Sequence, residues 1–394
     1  MDKEAALTEA AVAYLAAQGS TQTEIARTLN VSQSAVSRLL AKVEEEKAYL
    51  VKQPPYRFKD EAVGPELMRE VLRRVSPKQI ADDLDTLARK NGCLRGPVVR
   101  VFPINRSTEA SQADRFRAFA AQAAPYVYSL INRDTVKICG VMWGYMLHDL
   151  AGELRKLQAD WKRTEVRVVP LSGDPVQQSQ EPPSLTSSNI AAELGRIVNG
   201  ETYRAPWLGV VPALIPEVFK GRDRKAIERF IKMVPDYEAI FGKDVDDERA
   251  LANHLDALLS SVGTNARPLG FGSGRLLASL GRRVESLKSD IYGDLGGVLL
   301  PRDVSQPTDL VRTIETCWTG IKRSHMERCA KRGATDDVHS GRPGTIILSL
   351  GADRAPVIAA AVSQGLVNHL IIDQELEQAL LKLVPSLGGR ASKG

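Results

Sequence analysis

Residues 20–42 read STQTEIARTLNVSQSAVSRLLAK, a stretch that leaves the backbone few options. Thr21 and Glu24 have the T-x-x-E spacing of a capping box, so a helix starts there and runs to about Leu29. Ile25, Ala26 and Leu29 share one face of it. Asn30 follows where the chain must turn sharply, and Asn enters the left-handed region more readily than most residues. Ser32 is then placed to cap a second helix with Val36, Leu39 and Leu40 as its inward stripe. Val31 plugs the space between the two helices. Helices joined by so short a turn cross steeply, and the small Ala26 suits the point of contact. A preceding helix over about 4–17 supplies Leu7, Ala11, Val12, Tyr14 and Leu15 to close a three-helix core.

The same register places Gln33, Ser34, Ser37 and Arg38 together on the outer face of the second helix. Amide, hydroxyl and guanidinium groups match base edges in a major groove. Thr21, Gln22 and Thr23 open the first helix, where backbone N–H groups favour a phosphate. The expected DNA-binding set is Thr21, Gln22, Ser32, Gln33, Ser34, Ser37, Arg38 and Lys42, with Lys42, Lys52 and Arg57 on phosphates. The alternative is a helical hairpin that packs or binds another protein. The short polar side chains on the exposed face favour double-stranded operator DNA.

Overall charge neither demands nor forbids that partner: the net charge is +5. Aromatic residues are only 5% of the chain, which argues against a stacking platform for single strands. The start, MDKEAALTEAAVAYL, carries acids where a signal peptide needs a basic start and an apolar block. No run is apolar enough to span a bilayer, so a cytoplasmic protein without a membrane partner is expected. Cys93, Cys139, Cys317 and Cys329 are scattered, which fits a reducing compartment better than a disulfide framework.

Three parts are expected: a DNA-binding head over 1–55, a helical linker over 56–92 and a large domain over 93–394. The prolines of QPPYRF mark a link, and ELMREVLRRV and KQIADDLDTLARKNG read as connector helices. From about Gly96, β-rich runs such as PVVRVFPI, VKICGVMW, EVRVVPLSG, GTIILSLG and HLIID alternate with helical stretches. That alternation predicts an α/β domain, doubly wound on a mainly parallel sheet. Ligands of such sheets sit at the carboxyl ends of strands. Several strand ends carry glycine turns: Gly144-Tyr145, Gly173-Asp174, Gly263-Thr264, Gly293-Asp294 and Gly351 with Asp353-Arg354. Together Gly144, Tyr145, Gly173, Asp174, Gly263, Thr264, Gly293, Asp294, Asp353 and Arg354 form the expected ligand-binding set. GFGSGR matches no phosphate-loop fingerprint and reads as a flexible turn.

The head, followed by GVMWGYMLHDLA, VVPLSGD, SNIAAELGRIVNGETYRAPWLGVV, GDLGG and GADRAPVIAAAVSQGLVNHLIID, resembles the SorC family of bacterial transcriptional regulators along most of the chain. The resemblance implies a helix-turn-helix joined to an effector domain related to sugar-phosphate isomerases. It also implies a homodimer or homotetramer whose hold on operator DNA changes with a phosphorylated sugar. After Trp143-Gly144 the family places phosphate contacts, whereas Tyr145 and Met146 stand here. Where the family often has Lys in its last glycine loop, this chain has Arg354, also able to hold phosphate.

Two other readings stay open. One is a DNA-binding regulator whose effector domain has lost its ligand and serves assembly. The other is an isomerase-like enzyme, which needs a placed acid–base pair. His148 and Asp149 are the nearest approach and read equally as helix surface, so no enzyme and no cofactor are expected. The stretch KRSHMERCAKRGATDDVHSGR over 322–342 is expected as a mobile surface loop or a second contact with DNA or a neighbouring subunit. Cys317, His325, Cys329 and His339 fit no usual zinc spacing.

Overall fold

A computed structural model describes residues 3–17, 20–46, 49–51, 57–58, 67, 71, 77–102, 104, 111–158, 165–174, 185–264 and 285–388. The head consists of α1 (Lys3–Ala17), α2 (Gln22–Leu29) and α3 (Gln33–Glu46). Asn30 adopts φ 53°, the left-handed turn expected of it. Ser32 caps α3, its Oγ accepting the Ala35 N–H at 3.2 Å. The Glu24 side chain of the expected capping box lies outside the described residues. Ile25, Ala26, Leu29, Val36, Leu40 and Val43 are buried against α1, with Val31 and Leu39 packed at the margin. In α1, consecutive residues from Ala10 to Ala17 are buried, so the helix is enclosed on every side rather than amphipathic.

After the head, the QPPYRF segment expected as a plain link ends in a paired strand. β1 (Leu50–Val51) and β2 (Arg57–Phe58) run antiparallel, with Leu50 opposite Phe58. Lys52 and the Arg57 side chain lie outside the described residues, as do most of the first connector helix and GFGSGR. The second connector helix, α4 (Lys78–Lys90), is no free spacer. Its Ile80, Leu84, Leu87 and Ala88 are buried in the large core, and Asp85 Oδ1 accepts the Gly96 N–H at 2.7 Å.

The large domain proceeds through β3 (Val98–Phe102), α5 (Gln112–Ile131), β4 (Ile138–Val141), α6 (Tyr145–Lys156), β5 (Arg167–Pro170) and α7 (Ser187–Asn199). Two surface helices, α8 (Gly221–Met233) and α9 (Pro235–Phe241), precede β6 (Ala257–Thr264). The hairpin β7 (Ile291–Leu295) and β8 (Val298–Pro301) leads to α10 (Asp309–Cys317) and α11 (Arg323–Thr335). The chain closes with β9 (Gly344–Ser349), α12 (Ala355–Ser363), β10 (His369–Asp373) and α13 (Gln374–Gly388).

Six strands form a parallel sheet in the order β3-β10-β9-β6-β4-β5, and the hairpin β7-β8 adds antiparallel to the end of β6. Every residue of β9 and β10 is buried, as expected of strands covered on both faces. The step from β4 to β5 and the step from β9 to β10 go opposite ways across the sheet. Right-handed crossovers therefore lay α6 and α12 on opposite faces. The strand order reverses between β4 and β6, which makes their carboxyl ends the topological switch point.

The stretch 322–342, expected as a mobile loop or an additional docking contact, is mostly the helix α11 and is part of the body. His325, Met326 and Cys329 are buried. Arg332 donates to the carbonyls of Asn253 and Leu255 at 2.7 and 2.6 Å, and Arg328 to that of Val245 at 2.8 Å. These cations cap the carbonyls of a neighbouring turn. Basic composition concealed an internal role. Where α11 meets the sheet, Gly344 takes φ 71°, and a Cβ there would lie 2.2 Å from Asn368 Oδ1.

Candidate functional site

The head presents one polar face. Ser32, Gln33, Ser34, Ser37, Arg38 and Lys42 are all exposed, as are Thr21, Gln22 and Thr23 at the start of α2. Burial of Val36, Leu40 and Val43 fixes the rotation of α3 and so points the polar residues outward. Ser32 and Ser34 hydroxyls meet at 3.0 Å, and Arg38 Nε reaches back to the Ser34 carbonyl at 3.4 Å. Lys42 also braces the head, because its Nζ lies 2.5 Å from Oε1 of the buried Glu9 and 3.9 Å from Glu46. The Glu9 hydrogen bond holds the Lys42 ammonium above its usual range. This pair ties α3 to α1.

The second candidate region lies at the carboxyl ends of the parallel strands. β4 ends at Val141, and three residues on, past Met142 and Trp143, Gly144 caps α6 at φ 114°. A Cβ on Gly144 would stand 3.8 Å from Ser261 Oγ on β6, so the two strand ends at the switch point meet there. Tyr145 is 41% exposed, whereas Met146 is buried. Two residues beyond Ser261, Gly263 pairs with Asp294 and Thr264 with Gly293. Thr264 Oγ1 donates to the Asp353 carbonyl at 3.2 Å, and Asp353 pairs with Arg354 at 2.9 Å. Gly263, Thr264, Gly293, Asp353 and Arg354 therefore share one corner.

Two expected members serve other ends. Asp294 is 4% exposed and its Oδ1 accepts the Gly297 N–H at 2.8 Å, closing the β7-β8 turn. Gly173 sits where a Cβ would lie 2.3 Å from the Val211 carbonyl oxygen, so its smallness lets two backbones touch. The next residue, Asp174, exchanges backbone hydrogen bonds with Val211 and Ala213, both at 2.8 Å. Its carboxyl is pushed up to about 6 by burial, and Oδ1 has no partner among the described residues.

Other polar groups there escaped the sequence reading. Ser172 and Ser349, at the ends of β5 and β9, are buried, and their hydroxyls have no partner among the described residues. Asp373, the last residue of β10, accepts the N–H groups of Gly351 and Leu376, each at 3.0 Å, and so holds the glycine loop. Arg115 on α5 reaches Asp373 at 3.7 Å and Glu375 at 3.0 Å. Only the terminal Asp of HLIID hinted at this, since Arg115 arrives from a distant segment. Arg354 precedes the first turn of α12, an end where the helix itself attracts anions. A cation there opposes the helix dipole, a penalty that Asp353 offsets and a bound anion would reverse.

Among the described residues, Arg100 links head and body. Arg100 on the edge strand β3 is 5% exposed, and its guanidinium lies 5.8 Å from the Tyr14 ring centre and 4.8 Å from that of Tyr126. The Tyr126 hydroxyl meets His369 Nδ1 at 2.8 Å. Burial, with nearby arginines, keeps that imidazole well below its usual range and therefore neutral. His369 opens β10, the strand that ends at Asp373 beneath the glycine loop. In contrast, His148 pairs with Asp149 at 3.3 Å on α6, both half-buried.

The chain shares its fold with the full-length sorbitol operon regulator SorC from Klebsiella pneumoniae. Identity is 17%, coverage is 96% of this chain and 99% of that one, and the TM-score is 0.51. A DeoR family transcriptional regulator from Listeria monocytogenes is 16% identical over 76% of this chain and 99% of that one, TM-score 0.48. No protein-family model matches the chain, and no curated protein matches its sequence. The first likeness spans head and body together and bears out the expected α/β fold class with its helical head.

Proposed function

We propose that the chain is a transcriptional regulator of the SorC family that reads operator DNA with α3 and senses a small anionic metabolite in a crevice at the carboxyl ends of the parallel strands. The observation that carries the reading is the polar face Gln33-Ser34-Ser37-Arg38, turned outward by the buried stripe Val36-Leu40-Val43. Two heads of a homo-oligomer insert α3 into successive major grooves, roughly 34 Å apart for adjacent half-sites. Arg38 and Gln33 read bases, each bidentate pair giving about 1–3 kcal/mol of discrimination. The crevice binds its ligand between the α12 N-terminus with Arg354 and the Gly144-Tyr145 turn, where a phosphorylated sugar suits the cation and the buried hydroxyls. Occupancy reaches the head through β10 and the His369-Tyr126-Arg100-Tyr14 contacts.

Two other readings have less support. A ligand-free assembly domain leaves the buried Ser172 and Ser349 hydroxyls and the raised Asp174 carboxyl without a purpose. An isomerase needs an acid–base pair in the crevice, and His148-Asp149 lies along a helix instead. The test is binding of the full chain to DNA upstream of its own gene, against Arg38→Ala. The proposal expects tight, salt-sensitive and sequence-selective binding by the native chain, with selectivity reduced in the variant by about the 1–3 kcal/mol of one bidentate pair. Equal preference in both would sink the recognition-helix assignment.

A further inference from the structure

Ten large apolar side chains are exposed among the described residues, and six fall within 207–233: Trp207, Val210, Val218, Phe219, Phe230 and Met233. Such concentration is unlike the scatter normal on a monomer surface. The helix α8 is central to it. Its inward side is Ile227 and Ile231, packed on the body. On the outer side Ala226, Phe230 and Met233 recur at helical spacing, with Phe230 56% and Met233 78% exposed. Beside that apolar stripe runs a second one of Arg222, Lys225, Arg229 and Lys232, all exposed.

We propose that this face is the two-fold contact between copies of the chain, α8 against α8 and antiparallel. The proposal rests on the reading of the protein as a homo-oligomer and names the surface responsible. Charge complementarity selects a second copy as the occupant. Lys232 Nζ donates to the Lys243 carbonyl at 2.9 Å, bringing the turn after α9 to the carboxyl end of α8. There Glu238, Asp244 and Glu248 are exposed. In an antiparallel pair, Arg222 and Lys225 at the start of one α8 meet those acids beside the end of the other. A two-fold contact makes each such pairing twice. DNA phosphates would leave the apolar stripe in water, and an anionic bilayer would meet the acidic turn.

The test is sedimentation velocity on the full chain at micromolar concentration, with thermal melts to confirm folding. Phe230→Asp with Met233→Asp changes only exposed side chains and is expected to halve the mass of the native oligomer. Arg222→Glu with Lys225→Glu is expected to do the same, and adding Glu238→Lys and Glu248→Lys to it is expected to restore the native mass. An oligomer unchanged by both double variants overturns this surface while leaving the homo-oligomer reading intact. A native chain that sediments as a monomer overturns both.

Discussion

The head and the strand ends of the body present their candidate groups in different ways. In the head, the buried stripe of α3 sets the direction of that helix's candidate contacts, so its polar face follows from local register. The strand-end region gathers its candidate groups from the ends of β4, β5, β6, β9 and β10, and the same residue types recur there in scaffold roles. Asp294 closes a hairpin turn, whereas Asp174 Oδ1 has no partner among the described residues. An exposed helix face tolerates side-chain exchange without loss of fold. A crevice of converging strand ends depends on backbone contacts far apart in sequence.

The largest effect that sharpens this contrast is expected from Gly344→Ala. The left-handed φ alone costs about 1–2 kcal/mol for a residue with a Cβ. Displacing the Asn368 amide, which accepts from Thr345 and donates to Ala330, adds about 1–3 kcal/mol. Thermal melting should show the body weakened by several kcal/mol in sum, while hydrogen exchange in α2 and α3 stays native. Equal loosening of both parts would mean that head and body are one cooperative unit.

Arg38→Ala comes next and acts on the other side of the contrast. Operator discrimination should fall by about 1–3 kcal/mol, with the melting temperature unchanged. Arg354→Ala should weaken binding of a phosphorylated effector by about 1.5–3 kcal/mol, the value of a hydrogen bond to a charged group. Calorimetry reads that loss, and DNA affinity without effector should not move. Arg100→Met removes the cation between Tyr14 and Tyr126. It should reduce the effect of ligand on DNA affinity, a coupling usually of about 1–3 kcal/mol, while each ligand still binds alone.

The smallest effect concerns Asp174. Burial raises its folded pKa to about 6, above the ordinary carboxylate range, so the folded protein binds this proton more tightly than the unfolded chain. Stability from this group is therefore present at low pH and is lost as pH rises through about 6. Comparing melts of the native chain and Asp174→Asn between about pH 4 and 7 isolates it from groups such as His325, which titrates the opposite way. A difference that does not change with pH would contradict the buried carboxyl.

The head was legible because its signals are local. The Asn30 turn, the Ser32 cap and the apolar stripes all lie within one short segment. The alternation of strand and helix likewise announced a parallel sheet. Strand order did not show in the sequence, and with it went the switch point between β4 and β6. Arg115 and Asp373 meet only after the chain has crossed the sheet. The basic run around α11 misled because composition cannot tell an arginine facing solvent from Arg332 capping carbonyls. For the same reason α4 read as a connector: an amphipathic helix does not declare which core it joins.

We propose that a ligand at the strand ends controls a DNA-reading head. The most direct test of that control is the affinity of the full chain for the DNA upstream of its own gene, across a salt series, with and without a panel of phosphorylated sugars. Steeply salt-dependent binding is expected, which one sugar phosphate shifts by about 5–150-fold. Tight binding indifferent to every anion in the panel, with no saturable binding of any of them, would contradict it.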